Sequence, residues 1–478
     1  MKRILKIFIL LVLILMLPAS LLSVSLSLPA YYSETYYAEL PVMLERIRSA
    51  DGPRLILLGN SDIAFGVNGE LLESILAEKG IPYTVCPFGL YGAVGTSAML
   101  SLSEKELRSG DLVVFSVEPV SETLSGYFGA TAFWKCAESD PSLLLRLSES
   151  QMQAMLANHI EFLQSRFAYR RNGTAPRVQG VYSRDSFNSR CDLVYERPGN
   201  TMVLGYDASA PVTLAEVTVS EDFTEQFAAY CRTAERKGAR VCISFSPVNR
   251  LSLTDGSDAA VLSFFNRIRS ALPCQVISDP NRYILDSGWF YDSNFHLNTA
   301  GATLRTVDLA RDIAVFSGCF EPIDYPVPEM PSFVYHTVRN DGDEDAFTFA
   351  PIADAAWQIT GLTAHGKAMS SLTVPSVHAG KPIIGFTSAA LSDAILLEEL
   401  TVPSSVESLP DGLFSSCPSL IQVYLTHTEK PCGVSAHTFD RADHLRIFVP
   451  SAAYSLYCDG AGCALNPWEP FLDRIGRY

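Results

Sequence analysis

The pattern of apolar and polar positions divides the chain into stretches of different grammar. An uncharged run from Ile7 to Tyr32 follows the basic residues Lys2, Arg3 and Lys6. It is long enough to cross about 30 Å of hydrocarbon at about 1.5 Å per residue. Residues 1–32 are therefore expected to form an N-terminal membrane anchor, with the basic flank cytoplasmic and the bulk extracytoplasmic. A cleaved signal peptide, which would leave the protein secreted, is the alternative. The run shows no clear A-x-A site and is long for the apolar region of such a peptide. No other apolar run is comparably long, so a single pass through the cell membrane is expected.

From residue 50 to 316 the rhythm changes. Short apolar runs at Leu55–Leu58, Tyr83–Val85, Leu112–Val117, Val241–Phe245 and Gln275–Ile277 read as strands. Between and after them lie helical patterns at Gly69–Lys79, Ser97–Leu107, Thr224–Lys237, Ala259–Leu272 and Ala300–Phe316. Strands apolar on both faces, alternating with amphipathic helices, predict a parallel sheet in a layered α/β domain over residues 33–317. Residues 118–222 interrupt the alternation with one helix, Glu149–Phe167, and a Gly/Ser/Arg/Asn-rich stretch. They read as a long insertion on the functional edge of the sheet.

Residues 318–334 are Pro-rich and non-periodic, which marks a linker. Beyond them a repeat begins. Leu400–Pro403, Val423–Leu425 and Ile447–Pro450 are β-like runs spaced 23 and 24 residues apart, and Leu420 and Leu445 are 25 apart. Leu372–Pro375 is an earlier, irregular copy. One strand and one turn per roughly 20–29 residues, each needing its neighbours to bury an apolar face, is the signature of a leucine-rich-repeat solenoid. Residues 335–478 resemble the BspA-like leucine-rich repeats of bacterial surface proteins, with Leu397–Leu425 similar to a complete internal repeat and Arg446–Ile475 to a terminal cap. That resemblance implies a module of three to four repeats with a protein or glycan ligand.

Composition narrows the classes. Only 18% of residues are charged and 10% are aromatic, which excludes wholesale disorder. Lys and Arg number 36 against 52 Asp and Glu, a net charge of −16, so a general nucleic-acid partner is excluded. Mean hydropathy is +0.16, a value to which the N-terminal run contributes. The eleven cysteines contain no C-x-x-C, which leaves zinc ribbons and dithiol redox chemistry without support. Cys458 and Cys463 bracket a Gly-rich loop and are able to pair; buried free thiols are the alternative. The eight histidines form no H-x-x-x-H ligand pattern, so no metal site is expected, and there is no phosphate-binding G-x-x-x-x-G-K-[ST] loop.

Two segments carry candidate chemistry. In Arg54–Ser61 a serine directly follows a strand, at the edge where ligands of α/β sheets bind and where backbone N–H groups can hold an oxyanion. In Tyr291–Asn298 an aspartate and a histidine precede the last helix. A histidine can take a serine proton and return it to a leaving group, while an aspartate fixes its tautomer.

Together these segments resemble the SGNH (GDSL-type) hydrolase superfamily over residues 50–316. Gly59-Asn60-Ser61 stands in the block that carries the nucleophile, and Pro87–Gly92 in the block that lines the oxyanion hole. Asp292 and His296 stand in the last block. The resemblance implies a flavodoxin-like three-layer α/β/α sandwich and ester hydrolysis or acyl transfer through an acyl-serine, without cofactor or metal. It implies Ser61, Asp292 and His296 as catalytic residues. The oxyanion donors would be the N–H groups of Ser61 and Gly92, with Gly89 the alternative to Gly92.

Two departures stand out. The Asp-to-His spacing is four residues rather than three, a variation tolerated in membrane-anchored branches similar to DltD and to alginate O-acetylation proteins. The third block, Ser116-Val117-Glu118-Pro119, lacks its asparagine. Asn188 and Asn249 are the candidates to replace that amide, and Glu118 is a candidate substrate contact. The expected function is a cell-surface serine esterase or O-acyltransferase, acting on an acylated carbohydrate or cell-envelope polymer. The alternative is a non-catalytic surface adhesion protein in which the repeats bind the ligand.

Overall fold

Every residue of Leu55–Leu58 is fully buried, and the two faces of this strand feed different cores. Ile56 and Leu58 pack on one side of the sheet, Leu55 and Leu57 on the other. A strand apolar on both faces belongs at the centre of a sheet covered twice, and the computed structural model places it there. The structure describes residues 30–478 except 173–179, 203–204, 208–209, 332–341, 354, 443–444 and 459–466; before residue 30 it describes only 20, 23–24 and 27–28.

Strands β1 (Arg54–Leu58), β2 (Thr84–Phe88), β3 (Leu112–Val117), β4 (Arg240–Phe245) and β5 (Gln275–Val276) form a five-stranded sheet in the order β2-β1-β3-β4-β5. All its pairings are parallel. Helices α1 (Glu39–Ser49), α4 (Thr96–Glu104), α7 (Glu221–Arg236) and α8 (Asp258–Ala271) bury their apolar stripes against one face. Helices α3 (Gly69–Glu78) and α9 (Thr299–Phe316) cover the other. Short α2 (Ser61–Gly66) leaves the end of β1. The strand order reverses between β1 and β3, so a crevice opens beyond their carboxyl ends.

Element ends shift by a few residues, and three larger differences from the sequence reading stand out. Strand β2 runs on to Phe88 through Pro87; as an edge strand it needs no N–H from Pro87 on its outer side. The stretch 118–222 holds a second helix, α5 (Ala130–Ala137), ahead of α6 (Glu149–Asn172). Helix α1, which the sequence reading did not assign, carries buried Leu40, Met43, Leu44 and Ile47 at helical spacing.

Beyond the α/β region, a four-stranded mixed sheet spans residues 347–386. A second five-stranded parallel sheet follows: β6 (Ser371–Thr373), β7 (Glu399–Val402), β8 (Gln422–Leu425), β9 (Arg446–Val449) and β10 (Ile475–Arg477), in sequence order. The spaced apolar runs thus become adjacent strands in register, Leu400 beside Val423 beside Ile447, all buried in one core. On the other face Tyr424 stacks on Phe448 with 5.1 Å between ring centroids. The Pro-rich segment packs against the α/β region: a Cβ at Gly288 would meet the Pro331 carbonyl at 2.8 Å and Met330 at 2.9 Å. Nine cysteines are free thiols; the Cys458–Cys463 pairing lies outside the described residues, as does most of the N-terminal apolar run. Among the described residues no helix is long and apolar enough to cross a membrane.

Candidate active site

The turn after β1 is tight enough to dictate its sequence. A Cβ at Gly59 would lie 2.7 Å from Ile63, and one at Gly89 would lie 2.6 Å from the Asn60 carbonyl. Both positions demand glycine, and Asn60 stands at the N-terminal boundary of α2, whose first residue is Ser61.

An ionic clamp holds this turn from below. Buried Asp62 accepts a hydrogen bond from Asn60 N (3.0 Å) on one oxygen, and from Ser116 Oγ (2.5 Å) and Arg305 Nη2 (2.9 Å) on the other. Arg305 Nη1 also donates to the Asp62 carbonyl. The clamp ties α2 to β3 and to α9, so the backbone that presents Ser61 is fixed by three elements.

The histidine comes from the loop ahead of α9. Phe290 pairs with Leu297, and Tyr291 N donates to the His296 carbonyl at 2.8 Å. Ser293 Oγ accepts from the N–H groups of Phe295 and His296. Asn298 then caps α9 by accepting from Gly301 N at 2.9 Å, which accounts for the Asn-x-x-Gly sequence. This closed loop lets a four-residue spacing bring both side chains together. His296 Nδ1 and Asp292 Oδ1 are 2.8 Å apart, and His296 Nε2 and Ser61 Oγ are also 2.8 Å apart. The His296 and Asp292 side chains keep 12% and 11% exposure, so the relay is held by protein yet reaches solvent.

Sequence reasoning missed the groups around this relay. The Phe65 ring lies on the His296 ring, 3.8 Å between centroids and 7° between planes. Tyr182 donates its hydroxyl to Asp292 Oδ2 at 2.8 Å. Arg446, from the repeat region, places Nη2 3.6 Å from the same oxygen. Burial opposes ionisation of Asp292. His296, Arg446 and the Tyr182 hydroxyl outweigh it and hold the carboxyl below the usual carboxylate range. Phe65 sits at i+4 from Ser61 and carried a readable signal; Tyr182 and Arg446 arrive from remote segments and carried none.

The other expected site residues fall as follows. Gly92 opens a 3₁₀ turn at Gly92–Val94, with open space where a Cβ would stand. Gly89 packs against the Gly59–Asn60 backbone. Asn249 is committed elsewhere: it is fully buried, donating to the Gly205 carbonyl at 2.7 Å and accepting from Leu251 N. The side-chain oxygen of Asn188 closes a local turn by accepting from Arg190 N and Asp192 N. No hydrogen bond among the described residues brings either asparagine to Ser61.

Glu118, expected as a substrate contact, lies just past the end of β3. It is buried and accepts from Asn60 Nδ2 at 3.0 Å, beside Thr96. Burial, then the charge of Asp62, pushes its carboxyl up to about 8. Among the described residues no cluster of three His, Cys, Asp or Glu is arranged to hold a metal ion. A surface cavity of about 630 Å³ bounded by Phe265–Val276 shares no residue with the site.

No family model matches the chain, and no curated protein matches it. A solved leucine-rich repeat protein of T. pallidum is similar at 20% identity over 23% of this chain, with a TM-score of 0.18. The match spans about half of that protein, 49% of its length. A likeness so partial carries no argument here.

Proposed function

We propose that the chain is a serine esterase or O-acyltransferase acting on acyl groups of envelope or extracellular glycans. The observation that carries this reading is the unbroken relay from Ser61 Oγ through His296 to Asp292, with 2.8 Å at each link. The order β2-β1-β3-β4-β5 supports a flavodoxin-like sandwich of SGNH type, with the relay at its switch point. The regular parallel ladder β6–β10 supports a short leucine-rich solenoid. The basic-then-apolar N-terminus supports membrane anchoring with the bulk extracytoplasmic.

In this mechanism His296 Nε2 takes the Ser61 hydroxyl proton as Oγ attacks the acyl carbonyl carbon. The carbonyl π pair moves onto oxygen, where the backbone N–H groups of Ser61 and Gly92 would receive it. Collapse expels the alcohol, which leaves with the proton from His296, and an acyl-serine remains. Water, or a second hydroxyl, then attacks with His296 again as base; the first outcome is hydrolysis and the second is transfer. Asp292 holds the Nδ1–H tautomer and stabilises the imidazolium throughout.

The test is release of acyl groups from p-nitrophenyl acetate and acetylated polysaccharide. Wild type is expected to turn over and Ser61→Ala to be inactive. Equal inactivity of both across such substrates sinks the reading. One observation favours a second reading, a non-catalytic adhesion protein: at the third strand end a buried Glu118 replaces the amide donor, and losing one such donor costs about 10²–10³ in rate.

A further inference from the structure

The α/β region supplies both partners of His296, yet one charge beside the relay comes from elsewhere. Arg446 is the first residue of β9, paired beside Gln422 of β8, and its N–H donates to the Ile421 carbonyl at 2.9 Å. The repeat sheet therefore fixes its backbone. Its guanidinium lies 6.0 Å from the ring centroids of both Tyr182 and Tyr291, and stands 3.6 Å from Asp292 Oδ2.

The oxygens of Asp292 are divided. Oδ1 faces His296 and Oδ2 takes the Tyr182 hydroxyl at 2.8 Å. At 3.6 Å Arg446 is beyond a good hydrogen bond and acts on Oδ2 by charge. Arg197, Tyr36 and Tyr291 are the other titratable groups around Asp292. We infer that Arg446 is a positioning residue for the Asp292–His296 pair, so that the repeat region completes the site of the α/β region rather than merely following it. This rests on the proposed acyl chemistry for its meaning and for the kinetic arm of its test, but not for the NMR arm.

A cation at Asp292 weakens the hold of the Asp292–His296 pair on a proton. Its removal lets the pair hold a proton more tightly, and the pair's apparent protonation midpoint rises by on the order of one unit. The experiment is ¹⁵N NMR titration of His296 in the full chain, wild type against Arg446→Gln and Arg446→Lys, with kcat/KM profiles alongside. The inference expects an upward shift in Arg446→Gln, and an acid limb of kcat/KM displaced with it. Arg446→Lys keeps the charge, and is expected to keep the wild-type midpoint. It also keeps the test standing if glutamine unfolds the interface. A midpoint unmoved in Arg446→Gln, or moved in Arg446→Lys, overturns the inference. Failure of a fluorophosphonate to label Ser61 would count against the acyl chemistry and leave this titration readable.

Discussion

Phe65 lies flat against His296, four residues along α2 from the serine that His296 touches. One helical turn thus presents both the proposed nucleophile, Ser61, and the floor on which the His296 ring rests. Phe65→Leu is expected to let the imidazole tilt and to lower kcat about ten-fold, with KM little changed. Phe65→Ala adds a core cavity, and unfolding free energy should fall by about 3–5 kcal/mol in a urea titration. Unchanged kcat in Phe65→Leu would show that the ring does not orient the base.

The Asp292 carboxyl is held below the usual carboxylate range, and in the proposed mechanism it fixes one tautomer of His296. Asp292→Asn is expected to reduce kcat by about 10⁴ through the wrong tautomer. Circular dichroism should stay native. A loss under ten-fold would remove Asp292 from the relay.

Glu118 is pushed up from an ordinary 4.5 to about 8, mainly by burial. The folded chain therefore binds more protons than the unfolded one between those values. Stability from this group is present below the lower value and declines as pH rises through about 8. Glu39, raised to about 7, adds a second, narrower contribution. Glu118→Gln is expected to flatten the fall of melting temperature between pH 5 and about 8 without abolishing it. Identical slopes in both proteins would place the Glu118 titration outside this window.

Arg305 and Asp62 are a fully buried pair beneath the turn that presents Ser61. Removing one partner leaves the other charge unpaired, so Arg305→Met is expected to cost about 3–5 kcal/mol. Activity should fall beyond what the unfolded fraction explains, because Asp62 also fixes Asn60 N. Denaturant titration combined with active-site labelling measures both.

The central strands were legible because burial on two faces leaves little choice of residue: Leu55–Leu58 and Leu112–Val117 read as strands and are strands. Helix α1 was equally legible from Leu40, Met43, Leu44 and Ile47, but lay beside the uncharged N-terminal run and was not assigned. Ser61, Asp292 and His296 could be singled out because short motifs carry them, and the structure brings them together. Asn249 illustrates the limit. An asparagine after a strand suggests a free amide, yet its bonds to Gly205 and Leu251 are set by a loop whose path has no local signature. Arg446 is the stronger case: its partner lies in another sheet, and nothing near it in the chain foreshadows the encounter.

Ser61 and His296 are separated by 235 residues along the chain, and Arg446 is later still. Synthesis runs from the N-terminus, so the serine leaves the ribosome long before the base that would activate it. A nascent or prematurely ended product therefore carries the hydroxyl without its proton acceptor. Closing so long a loop is among the slower steps of folding, so the proposed relay cannot assemble until the chain has been made and folded at least as far as His296.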